Sequence, residues 1–272
     1  DGTWKADPIL SVEAMDVESE QLQALWIEFD IPRHQKPGVF LGRIELLKHI
    51  LFEDEELVGT IDVQIEVYDV TLPDPLDYTF YLDLWQHNAN IARKHEVPLW
   101  SDAHFEILAR YVSSLAKLGQ KAVTVVVSEA PWSGQGSHTD IDYPSDLFEY
   151  SMVFVRRCCT GTWDYDFSAM DRYIELCLSA GINREIEVFG LVNIWQYPEA
   201  GYGAIADYPD AIRIRYFDER DRRFKFMRTE AEIAGYIKAL EQHFRAKSWL
   251  QLVRVVADEP SDMELYQRRL AK

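Results

Sequence analysis

Two adjacent carboxylates near the C-terminus, Asp258 and Glu259, are the residues with the clearest capacity for chemistry. They follow an apolar, β-branched run over residues 250–257 and come directly before Pro260. Such a run is typical of a strand buried on both faces of a parallel sheet, and the proline ends it. Acids at the carboxyl end of an α/β-barrel strand lie where active sites form. The alternative is that the two acids only cap a helix that begins near Ser261.

Aromatic and polar side chains follow the other predicted strands. Sugar rings have C–H faces that stack on indole rings, and their hydroxyl groups pair with planar polar side chains. These loops therefore predict a carbohydrate-binding cleft, although any single tryptophan could instead belong to the core. The candidate substrate-binding residues are Trp85, His87, Trp100, His104, Trp132, Trp163, Tyr165, Asp166 and Trp195.

Strands and helices alternate after residue 75, and this alternation would position those loops. Predicted strands cover residues 78–84, 122–127, 185–192 and 250–257, and predicted helices cover residues 102–118, 167–180 and 229–247. A hairpin is predicted over residues 149–165, and a long loop is predicted from residue 193 to about residue 228. This order indicates right-handed βαβ units and a parallel sheet.

The predicted fold class is α/β, with residues 73–272 forming the first half of a (β/α)8 TIM-type barrel. The four βα units counted in the sequence are half of what such a barrel needs. We expect the remaining half downstream in the full-length chain or from another chain, because an isolated half would leave an open sheet edge. A smaller open α/β domain is the alternative.

The residues before this region read as a separate β-rich domain. Alternating apolar residues occur at 25–31 and 61–67, and residues 39–47 are a further predicted strand. This pattern predicts a small antiparallel β-sandwich over residues 1–72, and Pro73 and Pro75 mark a linker after it.

Composition excludes several classes of partner and cofactor. The net charge of −18 argues against a nucleic acid, and no apolar run approaches the roughly 18 residues that a membrane span needs. Nucleotide-binding and serine-hydrolase motifs are absent, so no cofactor is predicted. No metal site is predicted either, because the spacing of His87, His104, His138 and Asp166 matches no standard ligand pattern. The sequence does not decide between a secreted and a cytoplasmic protein.

An ordered set of motifs resembles the catalytic domain of glycoside hydrolase family 123. The motifs are Asp-Leu-Trp-Gln-His at residues 83–87, Trp100 with His104, Pro-Trp at 131–132, Gly-Thr-Trp-Asp-Tyr-Asp-Phe at 161–167 and Ala-Asp-Glu-Pro at 257–260. The resemblance covers about residues 73–260, and proteins of this kind often carry a β-sandwich in front.

This resemblance implies a retaining β-N-acetylgalactosaminidase that uses substrate-assisted catalysis. The 2-acetamido oxygen of the substrate would attack the anomeric carbon, so no protein nucleophile is needed. Asp258 would orient and stabilise the acetamido group, and Glu259 would protonate the leaving oxygen. The two carboxylates then need pKa values that are pushed apart by their surroundings.

Two other functions stay open. In a conventional retaining glycosidase Glu259 would be the acid/base, and a second carboxylate about 5 Å away, in the other half of the barrel, would be the nucleophile. Asp258 would then be dispensable. In a non-catalytic carbohydrate-binding protein the aromatic cleft would remain without turnover. Two adjacent acids argue against this last function, because their repulsion is hard to justify without a chemical task.

Overall fold

The structure is a computed structural model that describes residues 14–18, 20, 22–130, 149–192, 212–257 and 263–271. The chain divides into two compact units, Asp1–Pro73 and Asp74–Lys272, and each is described by itself. Among the described residues, no helix is both long enough and apolar enough to cross a membrane.

The first unit contains an antiparallel hairpin of β1 (Gly38–Lys48) and β2 (Glu56–Val67). Its register pairs Phe40 with Ile65 and Ile44 with Ile61, so apolar side chains share one face. The opposite face is more polar and includes an ion pair between Arg43 and Asp62 at 2.8 Å. The strands predicted over residues 39–47 and 61–67 are therefore confirmed.

The strand predicted over residues 25–31 is wrong, because these residues form no strand in the structure. Their alternating apolar side chains are exposed, including Trp26 at 69% and Phe29 at 51%. Alternation favours a strand only when a neighbouring strand supplies hydrogen bonds and side-chain contacts, and here the segment is unpaired. Among the described residues of this unit only β1 and β2 are strands, so the β-sandwich over residues 1–72 stays a prediction.

A parallel sheet forms the centre of the second unit. It contains β3 (Ala122–Val126), β6 (Glu185–Phe189) and β9 (Val253–Val256), in the order β3-β6-β9. The strand predicted over residues 78–84 is wrong, because these residues form no strand. Leu82 alone makes a single parallel bridge to Gln120, beside the start of β3. Chain order and spatial order therefore agree, as successive βαβ units require.

The helices that join these strands are largely those that the sequence predicts. They are α1 (Asn88–Lys94), α2 (Asp102–Leu118), α3 (Ser168–Ser179), α4 (Glu230–Ala246) and α5 (Met263–Leu270), of which only α1 was not foreseen. Gly119 ends α2 with a φ of 87°, a conformation that glycine adopts at little cost. Thr229 and Glu232 form a reciprocal capping box at the start of α4.

The prediction that residues 250–257 form a strand buried on both faces is wrong in two respects. A 3₁₀ turn occupies Leu250–Leu252, so the strand begins only at Val253. Val255 is also 53% exposed and Arg254 is exposed. These side chains are exposed because β9 lies at the edge of the sheet, where it pairs only with β6 among the described strands.

A second, mixed sheet lies between β3 and α4 in the sequence. Its strands are β4 (Phe154–Arg157), β5 (Trp163–Asp166), β7 (Arg215–Asp218) and β8 (Arg223–Phe226), in the order β5-β4-β7-β8. The β4–β5 hairpin was predicted, whereas β7 and β8 fall in the stretch that was predicted as a long loop. Strands of four residues are too short to show a clear period in the sequence.

Candidate active site at the carboxyl ends of the parallel strands

Several of the predicted site residues lie outside the described residues. These are the two acids Asp258 and Glu259 and the two loop tryptophans Trp132 and Trp195. The described residue Val256 ends β9, two positions before Asp258. Its contacts therefore identify the part of the sheet from which the chain continues to the acids.

Val256 belongs to a small apolar group that we call the strand-end cluster. The members are Val126, Ala130, Phe189, Trp85, Val256 and Tyr266. Val126, Phe189 and Val256 are the last residues of three neighbouring parallel strands and are in register. Their side chains therefore lie on one face of the sheet, at its carboxyl end, where α/β folds bind ligands.

Trp85 is the predicted site residue that the structure brings into this cluster. Its indole lies edge-on to the ring of Phe189, with 5.5 Å between centroids, and its Nε1–H donates to Asp83 Oδ2 at 3.0 Å. Gln120 holds this turn, since its side-chain oxygen accepts from Leu84 N–H at 2.9 Å. Trp85 is half-buried, so part of the indole remains accessible.

Carboxyl groups lie one layer below the strand-end cluster on the same face of the sheet. Glu187 is in register with Thr124 on β3 and Arg254 on β9, and it is only 7% exposed. Burial, followed by the neighbouring Asp83 carboxylate, raises the pKa of Glu187 to about 7. Burial and the nearby negative charge therefore favour the protonated form of Glu187.

Two further groups border this layer toward the amino ends of the strands. The hydroxyl of Tyr81 donates to Glu185 Oε2 at 3.0 Å, and Arg254 Nε lies 4.0 Å from Glu185 Oε1. Burial and the Glu185 carboxylate raise the pKa of Tyr81, so its hydroxyl stays a donor. The face below the cluster is therefore polar and mostly acidic.

His104 and Trp100 were predicted to bind substrate, but His104 is buried and its ring is hydrogen-bonded to backbone groups. His104 is fully buried, its Nδ1 accepts from Trp100 N–H at 3.1 Å, and its Nε2 lies 3.0 Å from Asn88 O. Burial lowers the pKa of His104, which favours the neutral ring with the proton on Nε2. Both ring nitrogens are engaged by backbone groups, so His104 has none left for a sugar.

His87 lies nearer to the strand-end cluster along the chain than His104 does. It directly precedes α1, occupies the N-cap position of that helix and is half-buried. Because His87 and Trp85 share one turn after Asp83, they remain together as candidate binding residues.

Trp163, Tyr165 and Asp166 are on β5, in the second sheet. Trp163 lies edge-on to Tyr216 at 4.8 Å, and Tyr165 is 5.6 Å from the ring of Tyr236. Asp166 accepts from Ser168 N–H at 2.9 Å at the start of α3, and the serine contacts lower the pKa of its carboxyl. These contacts lie in the second sheet and its helices and not in the strand-end cluster.

Two buried acids near the end of β3 were not among the predicted site residues. Glu129 is 5% exposed and lies 3.1 Å from Arg215 Nε, and burial raises its pKa to about 7 against the effect of Arg215. Glu149 is fully buried and accepts from Ala89 N–H at 2.7 Å, and burial raises its pKa to about 8. The sequence offers one signal for the first acid, which is its position two residues after the apolar β-branched run over residues 122–127.

The described residues offer no obvious metal site. No group of three or more His, Cys, Asp or Glu side chains among them could hold a metal ion. An open cavity of about 410 Å³ lies beside α1, lined by Ala89, Ala92, Arg93, Glu96, Val97, Leu99 and Tyr150. Its lining is shared between apolar and charged groups, and none of the predicted site residues contributes to it.

Comparison with known proteins assigns most of this chain to one family. The family model for the catalytic domain of glycoside hydrolase 123 matches residues 85–271. Among solved structures, a family 123 glycoside hydrolase from Clostridium perfringens, analysed for the details of glycolipid glycan hydrolysis, is similar with a TM-score of 0.65 and 22% sequence identity. The similarity covers 88% of this chain but only 38% of that one, and at this identity it shows a shared fold. A search of curated proteins found no match.

Proposed function

This chain belongs to glycoside hydrolase family 123, and from that premise we propose that it carries the catalytic carboxylates of a glycoside hydrolase. The proposed substrate is a glycan or glycoside with an N-acetylhexosamine, with β-linked N-acetylgalactosamine as the leading candidate. The proposed reaction is hydrolysis with retention, assisted by the 2-acetamido group of the substrate.

The observation that carries this proposal is the position of Val256. Val256 contacts the strand-end cluster that contains Trp85, and Asp258 follows it by two residues. Two residues span at most about 7 Å of extended chain. In this proposal the two carboxylates lie near the accessible part of the Trp85 indole, an arrangement that suits a sugar ring held against the acids.

The two carboxylates have different proposed roles. Asp258 orients the acetamido group and stabilises the positive charge that develops on it, so it must stay ionised. Glu259 donates a proton to the glycosidic oxygen as the bond breaks, so its pKa must be raised. Trp85 and His87 contact the sugar in this proposal, and Trp132 and Trp195 extend the site from the loops.

The parallel sheet supports a proposed half barrel. Leu82, β3, β6 and β9 follow one another in space as they do in sequence, and among the described strands the outer edge of β9 has no neighbour. A barrel closes such an edge with further strands. We propose that the rest of the full-length chain supplies them, and that the hairpin of the first unit belongs to a β-sandwich.

The test uses the full-length protein with aryl β-N-acetylgalactosaminide and aryl β-N-acetylglucosaminide. We compare wild type with Asp258→Asn and Glu259→Gln, and use the exposed acids Asp54→Asn and Glu106→Gln as controls. Loss of a general acid typically lowers rates by about 10² to 10⁴. Turnover that collapses in both site variants and persists in both controls supports the proposal.

Two results would change the assignment. Turnover only of sugars without an acetamido group, with Asp258→Asn still active, favours the conventional retaining glycosidase. Sugar binding without hydrolysis of any glycoside favours a carbohydrate-binding protein.

A further inference from the structure

The first turn of α1 is held by buried side chains that the proposed hydrolysis does not use. α1 begins at Asn88, directly after His87, which occupies the N-cap position. The first N–H groups of any helix have no partner within the helix and need an acceptor from elsewhere. In α2 a local residue supplies one, since Ser101 Oγ accepts from His104 N–H at 3.2 Å. In α1 the acceptor for Ala89 N–H comes from a distant part of the chain.

That acceptor is Glu149, which lies 60 residues after Ala89 in the sequence. Its Oε1 accepts from Ala89 N–H at 2.7 Å, and the whole residue is buried. The main chain of Glu149 pairs with that of Ala130 through two hydrogen bonds, of 2.7 Å and 2.9 Å. Ala130 belongs to the strand-end cluster. Glu149 therefore connects the start of α1 with the cluster at the carboxyl ends of the strands.

His104 contacts the same peptide group at its other end. His104 Nε2 lies 3.0 Å from Asn88 O, and this carbonyl group and the Ala89 N–H belong to one peptide bond. Because that bond is planar and trans, its C=O and N–H point in opposite directions. The His104 ring is itself fixed, since its Nδ1 accepts from Trp100 N–H at 3.1 Å. The peptide between Asn88 and Ala89 is thus held by two buried side chains, an arrangement that we call the peptide clamp.

The peptide clamp does more than satisfy the end of a helix. A local cap would satisfy a first-turn N–H group without connecting the helix to any other element. The clamp instead connects α1 to α2 and to the segment after β3, although burying a carboxyl group and an imidazole costs free energy. His87 directly precedes Asn88, and Trp85 of the strand-end cluster lies two residues before His87. The main chain at His87 is therefore fixed between the clamp on one side and the cluster on the other.

We propose that Glu149 and His104 are positioning residues that hold the start of α1 and thereby fix His87 for sugar binding. This inference rests on the proposed function, because it takes His87 as a sugar contact. Neither Glu149 nor His104 touches the sugar in this proposal, and both act through the peptide that follows His87. A binding residue whose main chain is already fixed loses less conformational freedom when the sugar binds, and this difference appears as affinity.

The experiment measures binding of N-acetylgalactosamine by calorimetry, and amide hydrogen exchange of Ala89 without ligand, on the full-length protein. Glu149→Met removes the acceptor, whereas the conservative Glu149→Gln keeps an amide oxygen in its place. His104→Phe removes the opposite contact of the clamp. His87→Ala and the double variant Glu149→Met/His87→Ala complete a double-mutant cycle. Thr229→Ala, which removes the cap of α4, is the matched control, and thermal unfolding verifies that each variant is folded.

We expect Glu149→Met and His104→Phe each to weaken sugar binding by about tenfold, and Glu149→Gln to weaken it by less than about threefold. In the His87→Ala background, Glu149→Met should weaken binding by less than about twofold, because its effect acts through His87. The Ala89 amide should exchange at least about tenfold faster in Glu149→Met than in wild type. Thr229→Ala should leave the affinity and the exchange of Ala89 as in wild type.

The inference is overturned if folded Glu149→Met binds the sugar like wild type, or if it loses as much affinity without His87 as with it. It is also overturned if Thr229→Ala weakens binding equally, since a general loss of stability would then explain the effect. If Glu149→Met does not fold, Glu149→Asp, whose carboxyl group is one methylene shorter, replaces it in the cycle with the same expectations. Absence of sugar binding by wild type would refute the proposed function and this inference together, whereas binding by wild type and unchanged binding by the variants would refute this inference alone.

Discussion

Replacing Glu129 by glutamine should make the unfolding free energy of the variant rise relative to that of wild type as pH rises. Glu129 is 5% exposed at the end of β3, and its Oε1 lies 3.1 Å from Arg215 Nε. Arg215 itself is partly exposed and lies over the rings of Phe224 and Tyr150, so it does not depend on Glu129 for its environment. Burial of the acid is thus the dominant effect, and the ion pair offsets only part of it.

The magnitude follows from the pKa of this carboxyl. Burial raises the pKa of Glu129 from its ordinary value of 4.5 to about 7, so the folded protein holds the proton to higher pH than the unfolded chain does. Stability from this group is fully present below about pH 4.5 and is lost as pH rises to about 7. Between pH 5 and pH 8 the loss is about 2 to 3 kcal/mol, because each tenfold difference in proton affinity between the folded and unfolded states corresponds to roughly 1.4 kcal/mol.

Glutamine has no proton to lose, so Glu129→Gln does not show this decline. We expect the unfolding free energy of the variant relative to wild type to rise by about 2 to 3 kcal/mol from pH 5 to pH 8. Urea unfolding at four or five pH values measures this difference, and Glu106→Gln on the exposed face of α2 is the control. A constant offset between variant and wild type across this range would refute the reasoning, since the carboxyl would then titrate alike in both states.

Two other predictions concern backbone positions. Gly190→Ala should lower the unfolding free energy by about 3 kcal/mol or more, because φ at this position is 103° and the new methyl group would overlap Ser128 Oγ. Gly161→Ala should lower it by only about 1 to 2 kcal/mol, because φ is 90° there but the space around the new methyl group is open. Thermal unfolding measures both losses. Equal losses at the two glycines would contradict the steric argument. Thr229→Ala should lower the unfolding free energy by about 1 kcal/mol, because it removes the capping box with Glu232. Thr229→Ser keeps a hydroxyl group at this position and should therefore retain most of that stability.

The elements that could be predicted from the sequence are those whose signals are local. Helix α2 has apolar residues at helical spacing and a glycine at its end, and it spans the predicted residues 102–118. Strand β3 is a continuous buried run, Ala122–Val126, as its β-branched composition predicts. The residue pattern within each of these two segments is enough to predict its secondary structure.

The elements that could not be predicted depend on distant partners. β4 pairs in parallel with β7, about 60 residues further along the chain, and neither strand exceeds four residues. The opposite error occurred at residues 25–31, where a strong alternation has no partner strand in the described part of the chain and its apolar side chains are exposed. A two-residue period in the sequence indicates which side chains would share one face of a strand. Whether the segment forms that strand depends on pairing with a neighbouring strand.

The same distinction separates the predicted site residues. Trp85 lies beside the last residues of three strands because the turn after Asp83 is tied to Gln120. His104 has the same apparent chemistry in the sequence, yet its position inside the first turn of α2 buries it against backbone groups. Sequence alone could not separate an accessible aromatic or imidazole ring from a buried one, since that difference is set by packing.

The position of β9 leads to a final prediction about the 272-residue chain. Substrate assistance requires one of the two acids to have a raised pKa, and burial is what raises it. β9, which precedes them, has Val255 53% exposed and no neighbour on its outer edge among the described strands. A further strand on that edge would provide the burial, so we expect hydrolysis by the full-length protein and at least a hundredfold less by this chain alone. Equal rates for the two would mean that the acids acquire their pKa values without a completed barrel.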